Sequence, residues 1–482
     1  MTLSVFDAAR DAPHVEALVC DGARLSFLEL SGRARARCVQ LATLGIDAQS
    51  PQAVALLVDG SLAMFELLYA LLALGVPVLP IHPRLTEPER AVLLRTGAVD
   101  TLLNPTEWGS PPPASAAPWV PLHIPAERAL ALVPSSGSTG APKLVALSRR
   151  AFLALAEADA ERIPPLPEDR ALLCLPLSHV GGLSVVVRCL WARRTCVIFR
   201  PGPSGLLDAL PDLSRVLAVE RISLLSLVPT VLARLLREAP DFALAAPLRA
   251  LLLGGQACSI ELFSEARTRG VPVLTSYGLT EACSQVCTLS PRAASKLAPN
   301  AIRKGVLSSG FPLSGVELRI VNGLVQVRGP TLFSGYVAAP SPFTDDGFFD
   351  TGDRAELDPE RGLFVFGRAS ELIISGGENI DPSEVEHALL ACGGVRAAVV
   401  FGVPDAEFGA RVAVALEPTT PASFDERVLF AALDLRLASF KHPRSSCVFE
   451  TLPRLPSGKL DRTRICDEAH TRLRPASRAP RS

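Results

Sequence analysis

The feature that most restricts the fold is a regular alternation of short β-rich runs with longer apolar helical ones. Residues 53–58 read as a strand, 62–74 as a helix and 76–80 as a strand again. The order returns with a strand at 194–199, a helix at 206–220, a strand at 222–228 and a helix at 230–238, then short strands at 248–253 and 271–275. Strands separated by a helix cannot pair as hairpins, so the pattern predicts parallel βαβ layers. After about residue 310 strands follow one another across turns, at 317–321, 324–328 and 362–366, which predicts an antiparallel or barrel-like subdomain. A last unit from about residue 370 reads helix (383–390), strand (397–403), strand (412–416), helix (425–437). The expected fold class is α/β: a large N-terminal domain of layered α/β subdomains plus a β-rich subdomain over 1–367, a connection at 368–370, and a small α+β C-terminal domain over 371–482. Two domains suit 482 residues, because single cores stop growing at about 250–300.

Charge excludes some functions. With 48 Lys+Arg against 49 Asp+Glu the chain lacks the basic surplus of a nucleic-acid binder, and 5% aromatic residues leave little for base stacking. The longest apolar run, 67–81, contains Gly75, Pro77 and Pro80 and is shorter than the roughly twenty residues a membrane span needs. It reads as a buried helix entering a strand. The N-terminus has neither a basic nor an apolar leader region, so no signal peptide is expected. Eleven scattered cysteines form no C-x-x-C pair and predict reduced core thiols in a cytoplasmic protein, with a pocket role left open for Cys283 and Cys287. Residues 104–125 read as a loop, and a basic disordered tail is expected from about 472.

The chemistry begins at Val133-Pro-Ser-Ser-Gly-Ser-Thr-Gly-Ala-Pro-Lys143, which follows an apolar strand at 130–133. Small residues let successive backbone N–H groups turn toward one anion, and hydroxyls add donors, as a polyphosphate requires. It is not the G-x-x-x-x-G-K-[ST] loop of P-loop NTPases. Four further segments follow in order: Ser276-Tyr-Gly-Leu-Thr-Glu281, Phe349-Asp-Thr-Gly-Asp353, Gly367-Arg-Ala-Ser-Glu-Leu-Ile-Ile-Ser-Gly-Gly-Glu-Asn-Ile380 and Leu455-Pro-Ser-Gly-Lys459. Together they resemble the adenylate-forming superfamily of acyl-CoA synthetases, adenylation domains and luciferases, over nearly the whole chain.

The resemblance implies ATP, Mg2+ and coenzyme A as cofactors and a role for each matching residue. Ser135, Ser136, Gly137, Ser138, Thr139 and Gly140 would hold the β- and γ-phosphates, with Lys143 adding charge. Thr280 would contact the α-phosphate and Glu281 the magnesium, a hard cation that prefers carboxylate oxygen. Asp353 would accept from both ribose hydroxyls, Tyr277 would stack on adenine, and Gly254, Gly255 and Gly278 would let the nucleotide approach the backbone. Arg368 would bind ribose or phosphate. Lys459 would bridge the attacking carboxylate and the α-phosphate, offsetting the charge of two anions brought together. The implied C-terminal domain is mobile: it would swing about Ser370 between adenylation and thioesterification, and Gly376 and Gly377 would then line the tunnel for the pantetheine thiol.

Leu175-Pro-Leu-Ser-His-Val-Gly-Gly-Leu183 resembles the family's acyl-pocket floor. It lacks the Asp that amino-acid-activating members carry there, and His179 would help gate the acyl site. A single Arg188 in the following apolar stretch is costly unless it meets a ligand or a protein acid. A guanidinium suits bidentate carboxylate recognition, so both partners stay open. Thr280-Glu-Ala-Cys-Ser-Gln-Val-Cys-Thr-Leu289 and the Gly-Arg-x-Ser at the hinge are similar to o-succinylbenzoate–CoA ligases of menaquinone synthesis. In that branch Ser284 and Gln285 would face the acid and Arg188 would take its distal carboxylate. Ser178, Gln256 and Asp381 stand where relatives carry other residues. The expected function is acid–CoA ligation through an acyl-adenylate, with o-succinylbenzoate as the acid. The alternatives are another aryl or fatty acid, a carrier protein as acceptor, or a catalytically silent nucleotide-binding relative. Expected partners are the small carboxylic acid, ATP and CoA, without nucleic acid or membrane, and a homo-oligomer is left open.

Overall fold

The computed structural model describes residues 2–476 except 51, 112–121, 136–142, 203–205, 296–301, 376–377, 406–408, 438–440 and 456–457. Its largest sheet has nine strands in the order Phe311–Pro312, Cys287–Thr288, Val273–Tyr277, Ala250–Leu253, Leu224–Leu227, Arg170–Leu173, Thr195–Ile198, Glu16–Cys20, Ala23–Ser26. The strands from Val273–Tyr277 to Glu16–Cys20 run parallel, as the alternation requires, and antiparallel strands close both edges. The first edge hairpin escaped the periodicity; its Asp21-Gly22 turn has both φ angles positive (51° and 79°), the sequence signature of a two-residue turn.

A second sheet of six strands is built on Val54–Leu57, Val78–Ile81 and Ala129–Ser135, in parallel. Lys143–Ser148 pairs antiparallel with Ala129–Ser135, and the last paired residues are Ser135 and Lys143. Ser135 and Lys143, paired across the two strands, therefore flank the Ser/Thr/Gly segment. Helix Leu62–Leu74 packs inside this part of the molecule with eleven residues buried. Ser61 caps it by accepting from Met64 N, and Gly75 ends it in the left-handed conformation at φ 71°. The strand expected at 76–80 forms as Val78–Ile81. One acid sits among these apolar side chains: Glu66 Oε2 accepts from Arg37 Nε at 2.9 Å and Nη2 at 2.6 Å, and Oε1 from Arg33 at 2.9 Å.

The predicted antiparallel subdomain is a four-stranded sheet, Glu317–Val321, Leu324–Arg328, Phe349–Asp358, Gly362–Arg368. The C-terminal part carries strands Val395–Asp405 and Gly409–Pro418 with helices Pro382–Ala391, Glu426–Asp434 and Arg462–His470. Arg354 of the antiparallel sheet forms an ion pair with Asp381, the N-cap of the first of these helices. The disordered tail expected from about 472 is corrected over 472–476, where Arg474–Pro475 pairs with Ser445–Val448 and Ala476 N donates to Arg444 O at 3.0 Å; residues 477–482 lie outside the described residues. Backbone pairing overrides the polar composition there.

Removing the carboxylate at Glu66 leaves a guanidinium buried without its counter-charge. Glu66→Gln should lower stability by about 3–5 kcal/mol in a denaturant titration, whereas Glu66→Leu combined with Arg37→Met should recover most of the loss.

Candidate active site

In open parallel sheets ligands bind beyond the carboxyl ends of the strands. Four segments leave the nine-stranded sheet at that edge: Pro176 to His179 after Arg170–Leu173, Val228 after Leu224–Leu227, Gly254-Gly255 after Ala250–Leu253, and Gly278 to Glu281 after Val273–Tyr277. Two glycines there are closely approached. A Cβ on Gly278 would lie 1.6 Å from Ser284 O, and one on Gly255 (φ 79°) would lie 3.0 Å from Lys459 Cε.

That second contact brings the C-terminal part into the cleft. Lys459 follows a tight turn in which Gly458 N donates to Leu455 O at 2.8 Å and Leu455 N to Lys459 O at 2.7 Å. Its ammonium would lie 3.2 Å from a Cβ on Gly255, and no acid among the described residues pairs with it. Burial holds its pKa below the ordinary lysine value. His179 is the N-cap of helix Val180–Ala192 and remains open to solvent on one side. Desolvation, and then the charges of Lys459 and His82, push its imidazole down to about 4, so it is neutral at pH 7. A Cβ on Gly182 would lie 2.4 Å from Pro176 O, so this helix starts hard against the preceding turn.

Asp353 and Arg368 are cross-strand partners in the antiparallel sheet. Arg368 Nε lies 2.8 Å from Asp353 Oδ1, and its Nη1 donates to Thr351 O at 2.7 Å. From the other sheet Tyr277 Oη donates to Asp353 Oδ2 at 2.6 Å. Burial raises the pKa of Asp353, opposed by Arg368 and the Tyr277 hydroxyl. Tyr277 was expected only as a base-stacking ring; holding Asp353 is a role the sequence did not disclose.

Thr280 and Glu281 occupy one 3-10 turn, after which Cys283 and Ser284 take positive φ (53° and 95°). Glu281 Oε1 accepts from Tyr336 Oη at 2.9 Å, and Phe333 N donates to Glu281 O at 2.8 Å. Lys143 Nζ stands 5.1 Å from the centre of the Tyr336 ring. Tyr336 was missed by sequence reasoning, although the chain has three tyrosines and two of them serve this cleft. No group of three or more metal-ligating side chains occurs among the described residues. A magnesium held by one carboxylate and substrate phosphates needs none, and Glu281 Oε2, with no described partner, fits that use.

Gln285, expected to face the acid, is buried with Oε1 lacking a partner, and Ser178, next to His179, is buried with Oγ likewise unpartnered. Ser284 is half-buried. Cys283 and Cys287 are fully buried, with thiols raised by desolvation, and act as core residues. Arg188 has the protein partner that the sequence left open. Its Nη1 lies 3.2 Å from each oxygen of Asp159, Nε donates to Ser184 O at 3.2 Å, and Nη2 donates to Ser226 Oγ at 3.3 Å. The backbone of Ser370 lies in the 3-10 turn Ala369–Glu371, between the antiparallel sheet and the C-terminal part. Ser135 and Lys143 flank the Ser/Thr/Gly loop. Ser136, Gly137, Ser138, Thr139, Gly140, Gly376 and Gly377 lie outside the described residues.

Comparison with known proteins agrees with this geometry. Residues 5–337 match the AMP-binding enzyme family, and residues 384–459 match the AMP-binding enzyme C-terminal domain. A 2-succinylbenzoate–CoA ligase of Listeria monocytogenes is 32% identical over 95% of this chain and 97% of its own. O-succinylbenzoate CoA synthetase from Bacillus subtilis in complex with the acyl-adenylate intermediate OSB-AMP superposes with a TM-score of 0.83, at 28% identity, over 96% of this chain and 98% of that one. The same enzyme in complex with ATP and magnesium gives a TM-score of 0.82 at 28% identity, over 96% and 99% of the two chains.

Gly278→Ala tests the cleft without touching a charged group. The Cβ cannot coexist with Ser284 O, so the variant should lose at least about 3 kcal/mol of stability, together with ATP binding by calorimetry. Gly202→Ala, where nothing lies within 4 Å, should change neither.

Proposed function

The chain belongs to the AMP-binding enzyme family, and on that footing we propose that it joins 2-succinylbenzoate to coenzyme A, cleaving ATP to AMP and pyrophosphate. The observation that carries the reading is Lys459: a desolvated ammonium without a protein counter-charge, held over Gly255 where the strand ends converge. Such a cation is costly until anions arrive. An acid carboxylate and an α-phosphate are two anions that repel each other, and a fixed ammonium between them offsets that repulsion as they react.

The reaction has two halves. A carboxylate oxygen attacks the α-phosphorus, the bond to the β-phosphate oxygen breaks, and pyrophosphate leaves. The thiol sulfur of CoA then attacks the acyl carbon and loses its proton, the bond from that carbon to the oxygen bridging to phosphorus breaks, and AMP departs with the oxygen. Neither half requires a side-chain nucleophile, so this chain's residues bind and orient. Asp353, fixed by Tyr277 and Arg368, receives the ribose hydroxyls; Thr280 donates to the α-phosphate; Ser135, Lys143 and the loop between them hold the outer phosphates. Glu281, steadied by Tyr336, would hold magnesium, which neutralises phosphate charge when bound. His179, neutral at pH 7, stands at the acyl entrance without adding a positive charge. Arg188 takes the acid's second carboxylate, and Ser284 and Gln285 face its body.

For the second half the domain over 371–482 turns about Ser370, withdrawing Lys459 and bringing Gly376 and Gly377 to the thiol's path. No helix among the described residues is long and apolar enough to cross a membrane, and we assign the enzyme to the cytoplasm, where ATP and CoA are supplied.

Pyrophosphate release with 2-succinylbenzoate should exceed that with benzoate, medium-chain fatty acids and amino acids, and a CoA thioester should form; preference for another acid would overturn the substrate. Lys459→Ala should slow adenylation by roughly 100- to 1000-fold while sparing thioester formation from supplied acyl-adenylate, and equal loss of both halves would contradict the role given to Lys459. Because its pKa is held down, the wild-type adenylation rate should fall with rising pH as Lys459 loses its proton, before an ordinary lysine near 10.4 would titrate. Lys459→Arg should move that fall to higher pH.

A further inference from the structure

A cavity of about 60 Å³ lies between helices Arg149–Arg162 and Val180–Ala192 and the face of the nine-stranded sheet. Leu172, Leu225 and Leu252 give it an apolar wall, and Asp159, Arg188 and Trp191 supply polar groups. Arg188 lies nine residues beyond His179, about 13 Å along the helix. Its Nε, however, donates to Ser184 O, so the guanidinium is turned back by a turn toward the catalytic end. Its Nη2 meets Ser226, one residue short of the end of Leu224–Leu227. The head group thus lines the cavity beside Ser226.

The pair that Arg188 makes with Asp159 is a poor one. A single nitrogen, Nη1, faces both carboxylate oxygens at 3.2 Å, whereas a charge-assisted fork uses two parallel N–H donors at about 2.7–2.9 Å. Both side chains are largely withdrawn from water, at 17% and 12% exposure, so Asp159 cannot be dismissed as a screened surface acid. A second group in the same cavity is unsatisfied: Trp191 Nε1 is buried with no acceptor. Arg194 and Asp169 also line the cavity but are held elsewhere, Arg194 Nη1 donating to Arg193 O at 2.9 Å and Asp169 pairing with Arg249, so Arg188 is its loosely neutralised cation and Trp191 Nε1 its vacant donor.

Resting on the substrate reading above, we infer that Asp159 is a specificity-determining residue that competes with the acid's distal carboxylate for Arg188, while Trp191 Nε1 donates to the incoming carboxylate. Asp159 is a positioning residue: it neutralises Arg188 while the cavity lacks an acid, and it yields when a carboxylate offers the fork geometry that Asp159 itself cannot reach. A monocarboxylic acid brings nothing to exchange and leaves the pair intact. Asp159 thus weakens binding of the dicarboxylate and leaves monocarboxylates unaffected.

The test compares initial rates of pyrophosphate release with o-succinylbenzoate and with β-benzoylpropionate and o-butyrylbenzoate, which each keep one of its two carboxylates. Asp159→Asn should lower KM for o-succinylbenzoate by roughly tenfold with little change in kcat, and leave KM unchanged for whichever monocarboxylate turns over. Trp191→Phe, which keeps a ring but removes the donor, should raise KM for o-succinylbenzoate several-fold and again spare the monocarboxylate. Asp159→Ser serves as a second variant should the amide destabilise the helix pair, and the same KM shift is expected of it at unchanged melting temperature. An unchanged or raised KM for o-succinylbenzoate in both Asp159 variants, or an equal shift for both kinds of acid, overturns this inference alone. Failure of the wild-type protein to turn over o-succinylbenzoate overturns the substrate reading and this inference with it.

Discussion

Asp353 stands on the antiparallel sheet, yet its two oxygens are engaged from different parts of the molecule. Arg368 reaches Oδ1 across the strand pair, and Tyr277 reaches Oδ2 from the end of a parallel strand 76 residues away in sequence. The carboxylate therefore joins two sheets that share no ladder. Everything at the cleft depends on that junction. It sets the antiparallel sheet against the strand ends, and the same sheet carries Arg354, whose ion pair with Asp381 seats the C-terminal part. Burial alone would favour a protonated Asp353, and the two donors favour the charged form.

Much of this was legible in the sequence because it is local. The 62–74 helix was read to the residue: its apolar run is bounded by a capping Ser61 and a left-handed Gly75. The two strands Glu317–Val321 and Leu324–Arg328 were read equally well, since Asn322 and Gly323 between them supply the positive φ a two-residue turn requires. The segments at 176–179, 254–255 and 278–281 share one edge for a reason the sequence also held: in a parallel layer the segment after each strand emerges on one side.

The pairings between distant segments were not legible. Tyr336 with Glu281, Asp159 with Arg188 and Arg354 with Asp381 join residues 27 to 55 positions apart, and no periodicity states which acid meets which base. Arg188 illustrates the limit: its apolar surroundings announced that a partner must exist, but only packing of two helices decides that Asp159 is that partner. The C-terminal edge strand failed differently. Its composition is that of a tail, and a ladder of two residue pairs is too short to leave a pattern.

Lys459 rests against Gly255, with no side chain between the two domains at that point. In the proposed cycle the positive charge that eases the meeting of carboxylate and ATP belongs to the part that leaves. When it withdraws, pyrophosphate attacking the finished adenylate would find two anions without their mediator. The motion that admits the thiol thus also discourages the reverse of the first step, and it gives the sequence of events a direction that neither chemical step has alone.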